Sequence, residues 1–146
     1  HAGRRGRLVA LEARTGVVRW STPDPGVAQG AGQLSFDDRL VVNAAGQTTL
    51  LDLATGEVVW QHSGKAARGD DLPRRLDPLL RGGAIVAPSS SVEVLRASDG
   101  TCIGGALPCD LVPDVLLCDE RGWIYVGEES GHLVALAPVP RLSLVR

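Results

Sequence analysis

The sequence predicts an all-β chain, a β-propeller fragment of about three and a half four-stranded antiparallel blades, and three observations carry that reading. A thirteen-residue pattern recurs at a constant offset of 40. Runs of four to seven residues rich in Val, Leu, Ile and Thr are punctuated by Gly, Asp, Asn, Ser and Pro. No window longer than about ten residues keeps a 3.6-residue apolar period free of Gly or Pro, which leaves no room for an ordinary helix.

The repeat is set by Leu8 to Trp20, which returns as Thr48 to Trp60, with Thr15, Gly16 and Trp20 falling on Thr55, Gly56 and Trp60. A weaker copy runs from Ser91 to Gly100, its glycine 44 residues beyond Gly56. A fourth start, Gly131 to Ala137, places Leu136 41 residues after Leu95. Spacings of this size match one propeller blade per repeat. Residues 1–146 therefore form one partial propeller, with repeats at 6–20 (partial), 33–63, 75–107 and 114–146.

Within the second repeat the expected strands are Gln33 to Phe36, Arg39 to Asn43, Thr48 to Leu53 and Glu57 to Trp60. The third repeat supplies Leu79–Leu80, Ala84 to Ala87, Val92 to Arg96 and Thr101 to Ile103. The fourth supplies Val115 to Cys118, Trp123 to Val126, His132 to Leu136 and Arg141 to Val145. The first repeat shows only its outer half, Gly6 to Trp20. Half a blade leaves a sheet edge and an apolar face in need of cover, so the expected partners are the remaining blades of the same propeller or a second chain. Two copies of three and a half blades would make about seven, inside the usual range of four to eight. The sequence begins at His1 and contains no Met, which reads as a mature form or a piece of something longer.

Bulk properties narrow the function classes. Apolar residues make up 44% and charged residues 22%, a composition that buries a core. The net charge of −2 gives no basic footprint for nucleic acid, and no apolar run is long enough for a membrane span. Of the three cysteines, Cys102 and Cys109 flank a short loop and could bridge in an oxidising compartment. Cys118 sits in an apolar run and reads as a buried small hydrophobe. No CxxC or paired-His spacing accompanies them, so metal binding has little support.

The motif Ala-x-(Asp/Glu)-x-x-Thr-Gly-x-x-x-Trp is carried by Ala10, Glu12, Thr15, Gly16 and Trp20, and again, with Leu50 for Ala, by Asp52, Thr55, Gly56 and Trp60. Each position has a physical reason. Gly tolerates the positive φ of a tight turn, Thr bonds the turn backbone, and Trp offers a large flat surface to bury. This pattern resembles the hallmark of quinoprotein-type (PQQ-like) propeller repeats and covers nearly the whole chain. The resemblance implies that Glu12, Thr15, Gly16, Trp20, Asp52, Thr55, Gly56 and Trp60 form a structural docking motif, each Trp lying against the turn glycine of the neighbouring blade. The third repeat departs from it, with Gly104 where Trp is expected and Asp99 in place of Thr, so that interface should be weaker or differently packed.

Two branches of the family differ in chemistry. A quinone-dependent dehydrogenase needs a stacked cofactor, a Ca²⁺ site and a base. Here there is one Tyr and one Phe, two of three Trp are committed to docking, and no vicinal cysteines occur. Trp123 reads as a core or turn-packing residue, and Asp110, Asp114, Asp119 and Glu120 as solvated turn carboxylates. His62 and His132 have no partner that spacing identifies, and no hydrolase or phosphate-loop motif is present. The non-enzymatic branch is therefore favoured, with no catalytic, cofactor or metal residues. Its expected role is a scaffold or protein-binding module, similar to the propellers of outer-membrane assembly lipoproteins and of some bacterial kinase sensors. PQQ and Ca²⁺ enter only under the dehydrogenase alternative. The resemblance points to an extracytoplasmic or periplasmic location. The candidate partner-binding loop is the long connection holding Lys65, Arg68, Asp70, Asp71, Arg74 and Arg75.

Overall fold

A computed structural model describes residues 7–23, 31–44, 46–64, 76–88, 92–104, 113–128 and 130–137. The described residues contain strands and turns but no helix. Strands β1 (Arg7–Leu11) and β2 (Val18–Pro23) form a two-stranded sheet. Strands β3 (Gly32–Phe36), β4 (Arg39–Ala44), β5 (Gln47–Asp52) and β6 (Val58–Ser63) form a four-stranded sheet in chain order. A second four-stranded sheet comprises β7 (Leu79–Arg81), β8 (Ala84–Pro88), β9 (Val92–Arg96) and β10 (Cys102–Gly104). Strands β11 (Val115–Cys118), β12 (Ile124–Gly127) and β13 (Leu133–Leu136) make a three-stranded sheet. Every pairing is antiparallel and joins sequence neighbours, so each sheet is a meander.

The largest departure from the sequence reading is β6, which runs on past Trp60 to Ser63 because Thr48 pairs His62 and Gln47 pairs Ser63. His62 therefore lies inside a strand, not beyond one. The last expected strand, Arg141 to Val145, lies outside the described residues.

Strand alternation turns each sheet into two faces, and the cores form where faces of successive sheets meet. Leu34, Val41, Leu50 and Trp60 are cross-strand partners, a row running across all four strands of the second sheet. That row packs with Ile85, Ala87 and Leu95 of the third sheet. The second sheet's opposite face carries Val42, Ala44 and Leu51, and Leu8 of β1 packs there. Between the third and fourth sheets lie Val86, Val92, Leu116 and Val126, with Leu79, Ile124, Val134 and Leu136 around them. The residues alternating with these are bare on the fourth sheet, where Val115, Leu117 and Leu133 are exposed, and on the first, where Val9, Leu11 and Val18 are exposed.

Candidate functional site

Three repeats build the same turn between their last two strands. The N–H of Gly16 donates to the Glu12 carbonyl, that of Gly56 to Asp52, and that of Gly100 to Arg96, all at 2.8 Å. The three glycines hold φ of 70°, 75° and 72°, the left-handed region that penalises a Cβ. One side chain closes each turn in the same way. Val17 N–H donates to Thr15 Oγ1 at 3.3 Å, and Glu57 N–H to Thr55 Oγ1 at 3.2 Å. In the third repeat Thr101 N–H donates to Asp99 Oδ1 at 2.9 Å, so the Asp for Thr exchange keeps the bond.

The turns serve as seats for indoles. A Cβ on Gly56 would collide with the six-membered ring of Trp20, and one on Gly100 would come within 2.7 Å of that of Trp60. Each indole N–H then donates to the carbonyl three residues before the glycine, Trp20 to Leu53 at 2.8 Å and Trp60 to Ala97 at 3.0 Å. The bond directs the ring and the glycine admits its face. No tryptophan seats the third sheet against the fourth. Gly104 occupies that position, facing Val94 across the ladder, and a Cβ there would come within 3.0 Å of the Val94 Cβ.

The acidic positions of the motif brace the same turns. Asp52 accepts the N–H groups of Ala54 at 2.9 Å and Thr55 at 3.1 Å and pairs with Arg39. The Thr55 and Ala54 bonds, with Arg39, hold its carboxyl below the usual pKa. Glu12 pairs with Arg19 at 2.9 Å. In the third repeat the charges trade places, with Arg96 at the acidic position pairing Asp99 at 2.9 Å. The Thr101 N–H bond, reinforced by the Thr101 hydroxyl and Arg96, lowers Asp99 to about 2.

A second polar group is buried between the second and third sheets. Asn43 donates its side-chain N–H to the Pro88 carbonyl across the interface and accepts the Thr48 hydroxyl at 3.0 Å. Near it His62 Nε2 stands 3.4 Å from Glu93 Oε2, at ion-pair distance but without hydrogen-bond alignment. Only 12% of the Glu93 side chain is exposed, and Gly64 makes room for it, since a Cβ at residue 64 would strike the carboxylate. Spacing along the chain gave no sign of this pair, because its members come from different repeats.

The first strands of three sheets line an open depression of about 380 Å³, bounded by Leu34, Leu79, Leu80, Arg81, Cys118, Asp119 and Glu120. Arg81 donates to the Glu120 carbonyl oxygen there. Asp119 is a turn brace and not a freely solvated carboxylate. Partial desolvation raises its pKa, but bonds from Trp123 N–H, the Tyr125 hydroxyl and Arg121 N–H outweigh that and hold it low. The bond to Asp119 in turn raises the Tyr125 phenol. Trp123 joins this turn through its backbone, while its ring is exposed rather than packed in a core. Cys118 is half-buried, its thiol 3.5 Å from the Asp119 carbonyl. His132 lies 3.3 Å from Glu128.

Among the described residues no group of three or more His, Cys, Asp or Glu is arranged to hold a metal ion, and no helix is long and apolar enough to cross a membrane. The loop with Lys65, Arg68, Asp70, Asp71, Arg74 and Arg75 lies outside the described residues, as do Asp110 and Cys109, and with Cys109 any pairing to Cys102.

Comparison with known proteins agrees with this architecture. The family model described as "Outer membrane protein assembly factor BamB" matches residues 1–104. No curated protein sequence matches the chain. Among solved structures, BamB from Moraxella catarrhalis is similar over 91% of this chain at 22% identity and a TM-score of 0.67. The chain spans 44% of that protein's length. The computationally designed Ika4 protein is similar over 92% of this chain and 81% of its own, at 12% identity and a TM-score of 0.72. The designed Ika8 protein aligns over 87% of this chain and 38% of its own, at 16% identity and a TM-score of 0.67. Repeat, turn, seated indole and family match converge, and the chain belongs to the PQQ-like β-propeller repeat family whose model is described by the outer membrane protein assembly factor BamB.

Proposed function

We propose that this chain is part of a non-catalytic, protein-binding propeller, the assembly or sensor module of a larger bacterial protein working outside the cytoplasm. The family match carries the reading, since the one protein that the family description names is an assembly factor. The chemistry of the described residues supports it. The polar side chains that a catalytic site would use are spent on turns and on junctions between sheets: Asp52, Asp99 and Asp119 brace turns, and Asn43 bridges two sheets. The described residues leave the open depression around Arg81 as a surface for a partner, and the sequence offers the long connection with Lys65, Arg68, Asp70, Asp71, Arg74 and Arg75 as the proposed binding segment. Loops carried on a rigid scaffold are common binding elements.

The proposed module takes neither PQQ nor Ca²⁺. Titration calorimetry of the chain with PQQ and Ca²⁺ should give a flat trace, and stoichiometric, saturable heat would overturn the non-catalytic reading. In parallel, a photo-crosslinking residue at Arg68 or Arg74 of the parent protein in its own cell should trap one discrete protein. Absence of any adduct at both positions would remove the loop from the binding surface.

A further inference from the structure

We propose that the buried polar group of Asn43, His62 and Glu93 is a sorting key, which admits the third sheet onto the second and rejects the other sheets of the same repeat. A chain of similar repeats presents similar faces. Its backbone does not stop a sheet from docking on the wrong neighbour, in its own chain or in a second copy. Order is then written in side chains. A buried polar or charged group writes it most strictly, because a mismatch leaves that group without a partner.

Two adjacent positions of the repeat carry the difference. Leu8, Thr48 and Val92, at the repeat spacings of 40 and 44, stand on the face turned to the following sheet. Thr49, Glu93 and Val134, at spacings of 44 and 41, stand on the face turned to the preceding one. Between the third and fourth sheets this place is aliphatic, with Val92 and Val134 in one cluster. Between the first and second it holds Leu8, which packs with the Val42 and Leu51 cluster, and Thr49, whose hydroxyl accepts from Gln61 of its own sheet. Between the second and third it is polar on both sides. Asn43, bonded to Thr48, reaches the Pro88 carbonyl, and His62 Nε2 stands 3.4 Å from Glu93 Oε2.

Each side of this junction is fitted to the other. The Glu93 side chain is 12% exposed and lies where a Cβ on Gly64 of the second sheet would strike it. His62 Nε2 is buried without a hydrogen bond and has the Glu93 carboxylate at ion-pair distance. Docking the third sheet on the first would set Glu93 opposite the place of Leu8. Docking the fourth on the second would set Val134 opposite His62 and Asn43. Either exchange buries a polar group against an alkyl one, and the native order alone matches polar with polar. This inference concerns the order of sheets within the propeller and stands apart from whichever protein the scaffold binds.

The test reads the indole N–H signals of the whole chain by NMR after refolding from urea. The chain has three tryptophans, so one sheet order gives three signals, and sheets docked out of order add more because Trp60 then meets a different neighbour. The chain itself should show three. The paired variant His62→Leu/Glu93→Leu, apolar on both sides like the junction of the third and fourth sheets, should unfold cooperatively and show additional indole signals. Glu93→Gln, whose amide can still bond His62, should show three. Three signals from the paired variant, or more than three from the chain itself or from Glu93→Gln, would overturn the proposal. Should the paired variant not fold, Glu93→Thr takes its place, giving the third sheet the residue that the second carries at that position. Additional signals from it support the key and three overturn it. Failure of both to fold would make the group a stabilising contact and overturn the sorting role.

Discussion

The junction between the second and third sheets and the junction between the third and fourth solve one packing problem with different materials. The first is anchored by an indole over a glycine, a row of four apolar residues crossing the sheet, and a buried polar group around Asn43 and Glu93. The second has no indole. Its cluster of Val86, Val92, Leu116 and Val126 is aliphatic, and a hydrogen bond from Arg81 to the Glu120 carbonyl crosses it. The difference follows from Gly104 standing where the first two repeats have Trp. The repeat thus fixes where sheets meet, while individual substitutions decide how firmly.

Removing the anchor should produce the largest effect. Trp60→Ala is expected to cost about 3 kcal/mol, the lower end for a large aromatic because the ring is half-buried. Val126→Ala, at a fully buried site of the aliphatic junction, should cost about 2 kcal/mol from lost burial and the cavity left behind. Urea unfolding of both variants measures the pair, and a larger loss for Val126→Ala would reverse the ranking of the two junctions.

A finer probe separates the seat from the backbone that makes it. Gly100→Ala combines a positive φ with a clash against Trp60, whereas Gly82→Ala meets the φ penalty in open space. The second should lose about 1 kcal/mol and the first about twice that, read from thermal melts at equal protein concentration. Equal losses would mean that the indole moves aside freely.

The smallest effect is electrostatic. Asp99 is held at about 2 by the Thr101 bonds and Arg96, against about 3.9 in an unfolded chain. Its folded value is depressed, so its stabilising contribution is complete above about pH 4 and disappears as pH falls through about 2. The melting-temperature gap between the protein and Asp99→Asn should be constant above that window and close within it. A gap that widens on acidification would contradict the turn-bracing role.

Much of the fold was legible because the repeat writes it locally. Strand order, the turn glycines and the Trp positions follow from residues within one 40-residue unit, and the antiparallel sheets match that reading. What was not legible depends on two units meeting. Glu93 falls inside the strand expected from Val92 to Arg96, and only the approach of Gly64 and His62 from another sheet shows it buried. Asn43 bonds a carbonyl 45 residues away. Asp119 was misread because an acidic side chain at a turn is usually solvated, while here three donors converge on it. Of the two roles expected for Trp123, core or turn packing, the turn is the one that its N–H joins, and the residue is 37% exposed.

All the backbone ladders of the described residues stay within a sheet, and the hydrogen bonds that pass between sheets each have a side chain as donor or acceptor. A repeat is thus sealed along its own main chain before it meets the next. Adding, deleting or exchanging a whole repeat asks for no new strand pairing, only for side chains of matching shape on two faces. Gene duplication can then change the circumference of such a ring without disturbing any existing sheet, and a repeat that lacks the indole, as at Gly104, still meets its neighbour through an aliphatic face.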